Sequence, residues 1–477
     1  MFPITMTWPT HAVEAAIVAI YLFLACLVTV DVLLKKSDVR GALGWIAAAW
    51  LSPIMGSLLY YMFGINRVTR RAVKLGKRQR RLARRPHQGT EPVASPNIAI
   101  LAEVGQRITE SPVIAGNRVT VLQGGDLAYA AMLDAIADAK HCIAMASYIY
   151  RNDAAGRAFS DALVAAHKRG VEVRVLLDGV GTGYLFPASL GPLRAAGVPL
   201  GLFLHTWVPW RMPFLNMRNH RKFLLVDGAR AFTGGMNIDA NHSRRLAKNY
   251  IDDIHFQIDG PVTRSLMDAF ARDWAFTTEE TLDQDYWWPE IAEQGSVQAR
   301  GLRSGPDADI YKIEMLAGAA LNLARKHVRI VTPYFLPDQR LQFAIAQACM
   351  RGIQVDIVLP RKSDHRYMEW ATMGHMRFFR HVGANVYFSP PPFDHTKLLT
   401  VDGEWALIGS SNWDARSFRL NFEYDVECYD RDLTAALDAI IDRKIAGAQK
   451  LDFADLLKRP VPVRLRDAAA RLLMPYL

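Results

Sequence analysis

The chain has 477 residues, of which 51% are apolar, and carries a formal net charge of +10. That length allows two or three domains, each with its own core, and that apolar content excludes a disordered chain. The excess charge sits in one run, Arg67, Arg70, Arg71, Lys74, Lys77, Arg78, Arg80, Arg81, Arg84 and Arg85, with no acid among them, so the rest of the chain sums to about zero. Nucleic-acid binders more often spread basic charge over a folded face, so no nucleic-acid partner is expected.

Taken in order, residues 12–34 (AVEAAIVAIYLFLACLVTVDVLL) form a mostly apolar stretch of bilayer-spanning length. Glu14 lies near one end, and Asp31, Lys35 and Lys36 near the other, where charges reach the interface. Residues 41–63 predict a second span, flanked by Trp45, Trp50, Tyr60 and Tyr61 and kinked at Pro53; a re-entrant segment is the alternative. The first stretch lacks the basic n-region of a cleaved signal peptide. Residues 1–66 therefore read as a membrane anchor with two transmembrane helices, about 12–34 and 41–63. By the positive-inside rule the N-terminus and the large C-terminal part face the cytoplasm, since the ten-charge run outweighs the short loop. Residues 67–111 form a basic linker, broken at Pro86, Gly89, Pro92 and Pro96, that also suits an anionic membrane surface.

From about residue 112, strand-like and helix-like runs alternate as in an α/β chain, and they repeat. ALVAAHKRG (162–170) leads into VEVRVLLD (171–178), as AIAQACMRG (344–352) leads into IQVDIVLP (353–360). The period is too long for a solenoid and indicates a duplicated domain, 112–290 and 291–450. The copies differ most before His220, where Trp207, Trp210, Met212 and Phe214 form either core or an apolar rim that dips into a bilayer. Residues 451–477 form a C-terminal amphipathic tail, packed on the body or on the membrane. Cys26, Cys142, Cys349 and Cys428 are scattered without metal-like spacing, as expected on the reduced side of a membrane.

Two stretches carry the chemistry. His220-x-Lys222 runs on to Asp227-Gly228, Gly234-Gly235 and Asn237; His395-x-Lys397 runs on to Asp402-Gly403, Gly409-Ser410 and Asn412. In an extended segment residues two apart share a face, so each copy offers one imidazole and one ammonium together. Asp227 and Asp402 complete the motif but stand at odd spacing from the histidines, which reads as structural. Brought face to face, Lys222, Lys397, Asn237 and Asn412 can hold the non-bridging oxygens of a phosphodiester. One histidine can attack phosphorus while the other protonates the departing alkoxide and then deprotonates the incoming alcohol. Asp252 and Glu423, at corresponding places, are candidates to orient the rings, and positive charge from the protein leaves no metal or cofactor required.

These motifs resemble those of the phospholipase D superfamily, and the whole chain resembles the bacterial cardiolipin synthases. The stretches RNHRKFLLVDG with AFTGGMNI, TPYFLPD with LPRKSDHR, and HTKLLTVDG with LIGSSN and SFRLNFE carry the likeness. The resemblance implies two tandem α/β/α sandwich domains related by a pseudo-two-fold axis, with the site at their interface. It also implies transfer of a phosphatidyl group from one phosphatidylglycerol to another with release of glycerol, at a bacterial inner membrane. His220 would be the nucleophile and His395 the general acid and base; the ring partner in the first copy is Asp252 or Asp253. The alternatives are a hydrolase in which water replaces the second lipid, a transferase using phosphatidylethanolamine or another alcohol, a nuclease, and a non-catalytic lipid-binding scaffold. His242, His255, His365 and His375 read as satisfied polar residues, with Lys362 and His365 as candidates for a headgroup pocket.

Overall fold

The computed structural model describes residues 10–36, 39–64, 95–183, 190–205 and 217–472. The basic run 67–85 and the Trp207–Phe214 cluster lie outside the described residues. The described residues up to 64 belong to one unit and those from 95 onward to a second.

In the N-terminal unit, helix Thr10–Lys35 contains one stretch, Ala12–Lys35, long and apolar enough to cross a bilayer. The second apolar segment is not one helix. It runs Val39–Leu51, leaves helical geometry at Ser52, and restarts at Pro53–Leu59, because proline occupies the first turn where its missing N–H costs nothing. Gly56 makes the joint possible: a Cβ there would fall 2.1 Å from the Ala48 carbonyl oxygen. Val28, Val32, Ala49 and Tyr60 form the small core. Asp31 is satisfied within the apolar helices by Lys35 and by the Tyr60 hydroxyl, which donates at 2.7 Å.

The second unit is organised by a continuous mixed sheet. Its first seven long strands are β1 (Ile114–Gln123), β2 (Cys142–Ser147), β3 (Glu172–Asp178), β4 (Leu200–Phe203), β5 (Phe223–Val226), β6 (Arg230–Gly234) and β7 (Ile254–Asp259). Seven more follow: β8 (Val297–Ser304), β9 (His327–Val331), β10 (Gln354–Pro360), β11 (Asn385–Ser389), β12 (Leu398–Val401), β13 (Trp405–Gly409) and β14 (Asn421–Tyr429). The order across the sheet is β4-β3-β2-β5-β6-β7-β1, then β8-β14-β13-β12-β9-β10-β11, so each half repeats the other outward from the antiparallel β1–β8 seam. Strands β2, β3 and β4 pair in parallel, as do β9, β10 and β11, through helical crossovers such as Ala154–Lys168 and Gln339–Met350. Asp153 and Asp338 start those crossovers by accepting backbone N–H bonds at the helix N-termini.

Each half buries its own apolar core. In the first, Met132, Phe159, Leu163, Val173, Leu224 and Phe232 pack together; in the second, Leu316, Ile330, Ile345, Ile357, Leu399 and Trp405 do so. The antiparallel pairs β5–β6 and β12–β13 close through Asp-Gly turns whose residues are left-handed, φ +50° and +63° at Asp227-Gly228 and +56° and +71° at Asp402-Gly403.

Candidate active site

Each His-x-Lys segment lies just before a buried strand, β5 or β12, and is docked onto the other half of the chain. Residues Arg218–Asn219 pair in parallel with Asn421–Phe422, and Phe393–Asp394 pair in parallel with Ile251–Asp252. The backbone N–H of His220 donates to the Phe422 carbonyl at 2.9 Å, and that of His395 to the Asp252 carbonyl at 2.7 Å. One residue further along, each histidine therefore meets a carboxylate of the opposite half. His220 Nδ1 stands 2.9 Å from Glu423 Oε2, and His395 Nδ1 stands 2.7 Å from Asp253 Oδ2. Arg221, between His220 and Lys222, tightens the same joint by pairing with Asp273 at 2.6 Å and donating to the Glu423 carbonyl at 3.0 Å.

The ammonium groups are fixed from behind. Lys222 Nζ donates to the His220 carbonyl at 2.6 Å, and Lys397 Nζ to the His395 carbonyl at 2.5 Å. Lys397 Nζ also lies 3.0 Å from His395 Nδ1. Tyr148 walls the first histidine, with ring centroids 5.0 Å apart, and Lys222 sits 5.4 Å from the same tyrosine ring. Both histidines and both lysines are buried, and burial disfavours their charged forms. It pushes His220 down to about 4, Lys222 to about 7 and Lys397 to about 8. His395 is pushed well below the ordinary imidazole range by burial and by the charges of Lys397 and Lys222.

The two carboxylates are not alike. Glu423 is lowered despite its burial by the histidine it faces, by Lys222 and by the Ser410 hydroxyl, which donates at 2.5 Å; Asn421 Nδ2 adds a donor at 3.1 Å. Asp253 is raised, because burial outweighs the opposing charges. The position of Ser410 is taken in the first copy by Gly235, which brings no hydroxyl and where a Cβ would fall 2.4 Å from Asp253 Oδ1.

Asp252, expected to orient a histidine, does not. Successive residues of an extended segment face opposite ways, and the Asp252 carboxylate turns to Lys444 at 2.8 Å and Arg244 at 3.7 Å, leaving His395 to Asp253. Asp227 and Asp402, included in the catalytic motif, stand away from the rings. Each accepts three backbone N–H bonds at the start of a neighbouring strand: Lys140, His141 and Cys142 for Asp227, Arg325, Lys326 and His327 for Asp402. Asn237 and Asn412 are both buried, with Asn237 Oδ1 accepting from the Ile149 N–H at 3.2 Å and Asn412 Oδ1 without a hydrogen-bond partner among the described residues.

His242, His255 and His375 differ from their expected satisfied state. His242 accepts from the Asn237 N–H at 3.4 Å but leaves Nδ1 unbonded, 3.9 Å from Asp253. His255 Nδ1 and His375 Nε2 also lack partners among the described residues, and burial pushes both rings down to about 4. Lys362 and His365 are exposed; the His365 ring stacks on Tyr334, which in turn meets His395 edge-on at 6.4 Å. No spacing in the sequence singles out Tyr148 or Tyr334, which reach the site only through the turns after β2 and β9.

The family described as cardiolipin synthase with a phospholipase D-like domain matches residues 132–274 and 318–445. A cardiolipin synthase of Geobacillus thermodenitrificans is 32% identical over 451 residues, covering 91% of this chain and 88% of its own. The major cardiolipin synthase ClsA of Bacillus subtilis is 29% identical, covering 98% of this chain and 100% of its own. Among solved structures, a phosphatidylserine synthase from Haemophilus influenzae superposes with a TM-score of 0.63 at 16% identity, over 79% of this chain and 100% of that one.

Proposed function

This chain belongs to the cardiolipin synthases with phospholipase D-like domains, and from that membership we propose how its residues transfer a phosphatidyl group. It is a membrane-associated phosphatidyltransferase acting on phospholipid. The donor we assign is phosphatidylglycerol, its phosphate held by Lys222, Lys397, Asn237 and Asn412. The observation that carries this reading is the exchange of carboxylates between halves, which arms the two histidines differently.

Glu423, ionised, accepts the Nδ1 proton of His220 and leaves Nε2 with a free lone pair facing phosphorus. Asp253, raised, shares a further proton with His395 Nδ1 and so keeps a proton on His395 Nε2. His220 Nε2 then forms the P–N bond as the bond from phosphorus to the glycerol oxygen breaks, and His395 protonates the departing glycerol. The glycerol hydroxyl of a second phosphatidylglycerol enters, His395 takes back its proton, the new P–O bond forms and the P–N bond breaks. Cardiolipin leaves with both histidines restored. The buried lysines stabilise the charge on the phosphoryl oxygens throughout.

Residues 112–290 and 291–450 act as two sandwich domains related by a pseudo-two-fold axis, which the repeated strand order supports. The anchor crosses the inner membrane twice, with the broken segment after Val39 as the return pass and the catalytic domains cytoplasmic, beside anionic lipid. The test is the product made by purified, detergent-solubilised protein from phosphatidylglycerol alone. Cardiolipin with equimolar glycerol is expected. Phosphatidic acid instead would make water the acceptor, and cardiolipin only after adding phosphatidylethanolamine would change the second substrate.

A further inference from the structure

Helix Val461–Leu472 packs on helix Arg366–His375 with little room between them. At Gly374 a Cβ would fall 2.6 Å from the Asp467 carbonyl oxygen. Asp467 is 2% exposed and is neutralised from two sides, by Arg459 at 2.6 Å and Arg466 at 2.8 Å. Beside this contact lies a cavity of about 280 Å³ lined by Arg377, Arg459, Arg464 and Arg471, with Asp467 the one acid among the described lining residues. Asp467 is committed elsewhere, so Arg377, Arg464 and Arg471 face the space with no carboxylate in ion-pair contact among the described residues. Guanidinium groups held around a concavity repel one another until an anion sits between them, and their planar donor forks suit phosphate oxygens.

The same helix turns an apolar stripe away from the body. Val461, Leu465 and Leu472 fall within about 40° of one another at 3.6 residues per turn, and they are 62%, 65% and 74% exposed. Arg464 and Arg471 border that stripe on the side of the cavity. A helix with one face packed on protein, one apolar face open and cations along their border fits a bilayer interface. A volume of that size takes a phosphodiester, while acyl chains must remain outside it, where the stripe lies.

We propose that this cavity is a second phospholipid site, apart from the two histidines. It takes the phosphate of an anionic phospholipid from the bilayer surface, with Val461, Leu465 and Leu472 set among the acyl chains. It goes beyond the transfer reaction, because nothing in the cavity can perform chemistry on the ester.

Hydrogen exchange of the backbone amides of 461–472 tests this in the full-length enzyme in nanodiscs, read by mass spectrometry. Three conditions are compared: phosphatidylcholine alone, phosphatidylcholine with a minor fraction of phosphatidic acid, and phosphatidylcholine with millimolar inorganic phosphate. Phosphatidic acid has no headgroup ester to donate, so the readout involves no turnover, and its failure is separate from any failure of the histidine mechanism. Exchange is expected to slow at least about fivefold with phosphatidic acid only, and Arg464→Gln with Arg471→Gln is expected to erase the difference. Equal exchange with and without phosphatidic acid in the wild type would overturn the site, and needs no variant to be folded. Slowing by inorganic phosphate alone would assign the cavity to a free anion and overturn the lipid. Persistence of the slowing in the double variant would overturn the residues.

Discussion

Replacing Asp253 by Asn separates the two acid residues that stand side by side in the sequence. Asp253 is fully buried with its carboxylate 2.7 Å from His395 Nδ1, so the variant loses a hydrogen bond between ionisable groups. Such bonds contribute about 1.5–3 kcal/mol, or about 10–150-fold in rate. The larger consequence is chemical. An amide cannot share the second proton, so His395 Nε2–H is left as the weak acid of a neutral ring, and general acid catalysis supplies about 10²–10⁴-fold. Cardiolipin formation by Asp253→Asn is therefore expected to fall about 10²–10⁴-fold in phosphatidylglycerol micelles. Asp252→Asn loses less than about threefold, because its partners are Lys444 and Arg244 at a part-exposed edge. A phosphatidyl ester of p-nitrophenol completes the assay, since nitrophenolate departs without a proton. Asp253→Asn should regain a burst of nitrophenolate near the wild-type rate. Glu423→Gln should not, because the amide reverses the His220 tautomer and removes the attacking lone pair. Thermal melting of each variant guards against simple unfolding. Equal losses at Asp252 and Asp253, or no nitrophenolate burst from a folded Asp253→Asn, would refute the reasoning.

Two further outcomes follow from the same geometry. Asp227→Ala and Asp402→Ala each remove an acceptor of three backbone N–H bonds, a loss of about 2–4 kcal/mol at roughly 1 kcal/mol per bond; the melting temperature should drop while protein assayed in the cold keeps most of its turnover, and loss of turnover without a drop would contradict the structural role. Lys222 and Lys397 are lowered to about 7 and about 8 by burial, so the free site loses its ammonium charges as pH rises through that window. A phosphodiester binds the charged forms, hence KM for phosphatidylglycerol should rise up to about tenfold per unit per lysine above pH 8, and a flat KM from pH 7 to 9.5 would count against lysine-held phosphate.

What the sequence could carry depended on distance along the chain. His220 with Lys222 and His395 with Lys397 are legible because two-residue spacing puts side chains together in any extended segment. The Asp-Gly turns are legible too, since aspartate and glycine tolerate the left-handed region that those positions adopt. Choosing Asp253 over Asp252 needs the register of Asp394 against Asp252, a pairing between residues more than a hundred apart that no local pattern encodes. The same holds for the exchange of carboxylates, because both halves carry an acid at the matching place and either arrangement satisfies the sequence. In the anchor, Pro53 signals a disturbance, but whether it bends or divides the helix depends on Gly56 reaching the Ala48 carbonyl.

One residue difference between the copies organises the chemistry. A symmetric pair of histidines would hold its one proton on either ring and leave the substrate to choose the attacker. Ser410 gives Glu423 a hydroxyl bond that favours its ionised form, whereas Gly235 at the matching place gives Asp253 none and leaves burial to raise it. On the proposed mechanism the His220 side thereby holds one proton fewer than the His395 side, which would distinguish attacker from acid before substrate arrives. Because each carboxylate belongs to the half opposite its histidine, that distinction exists only when the halves are docked. Ser410→Ala removes the Ser410 hydroxyl without adding a side chain at 235, where a Cβ would fall 2.4 Å from Asp253 Oδ1, and should lower the phosphorylated His220 of an acid-quenched intermediate about tenfold. An undiminished label on His220 in folded Ser410→Ala would mean that the hydroxyl does not set the order.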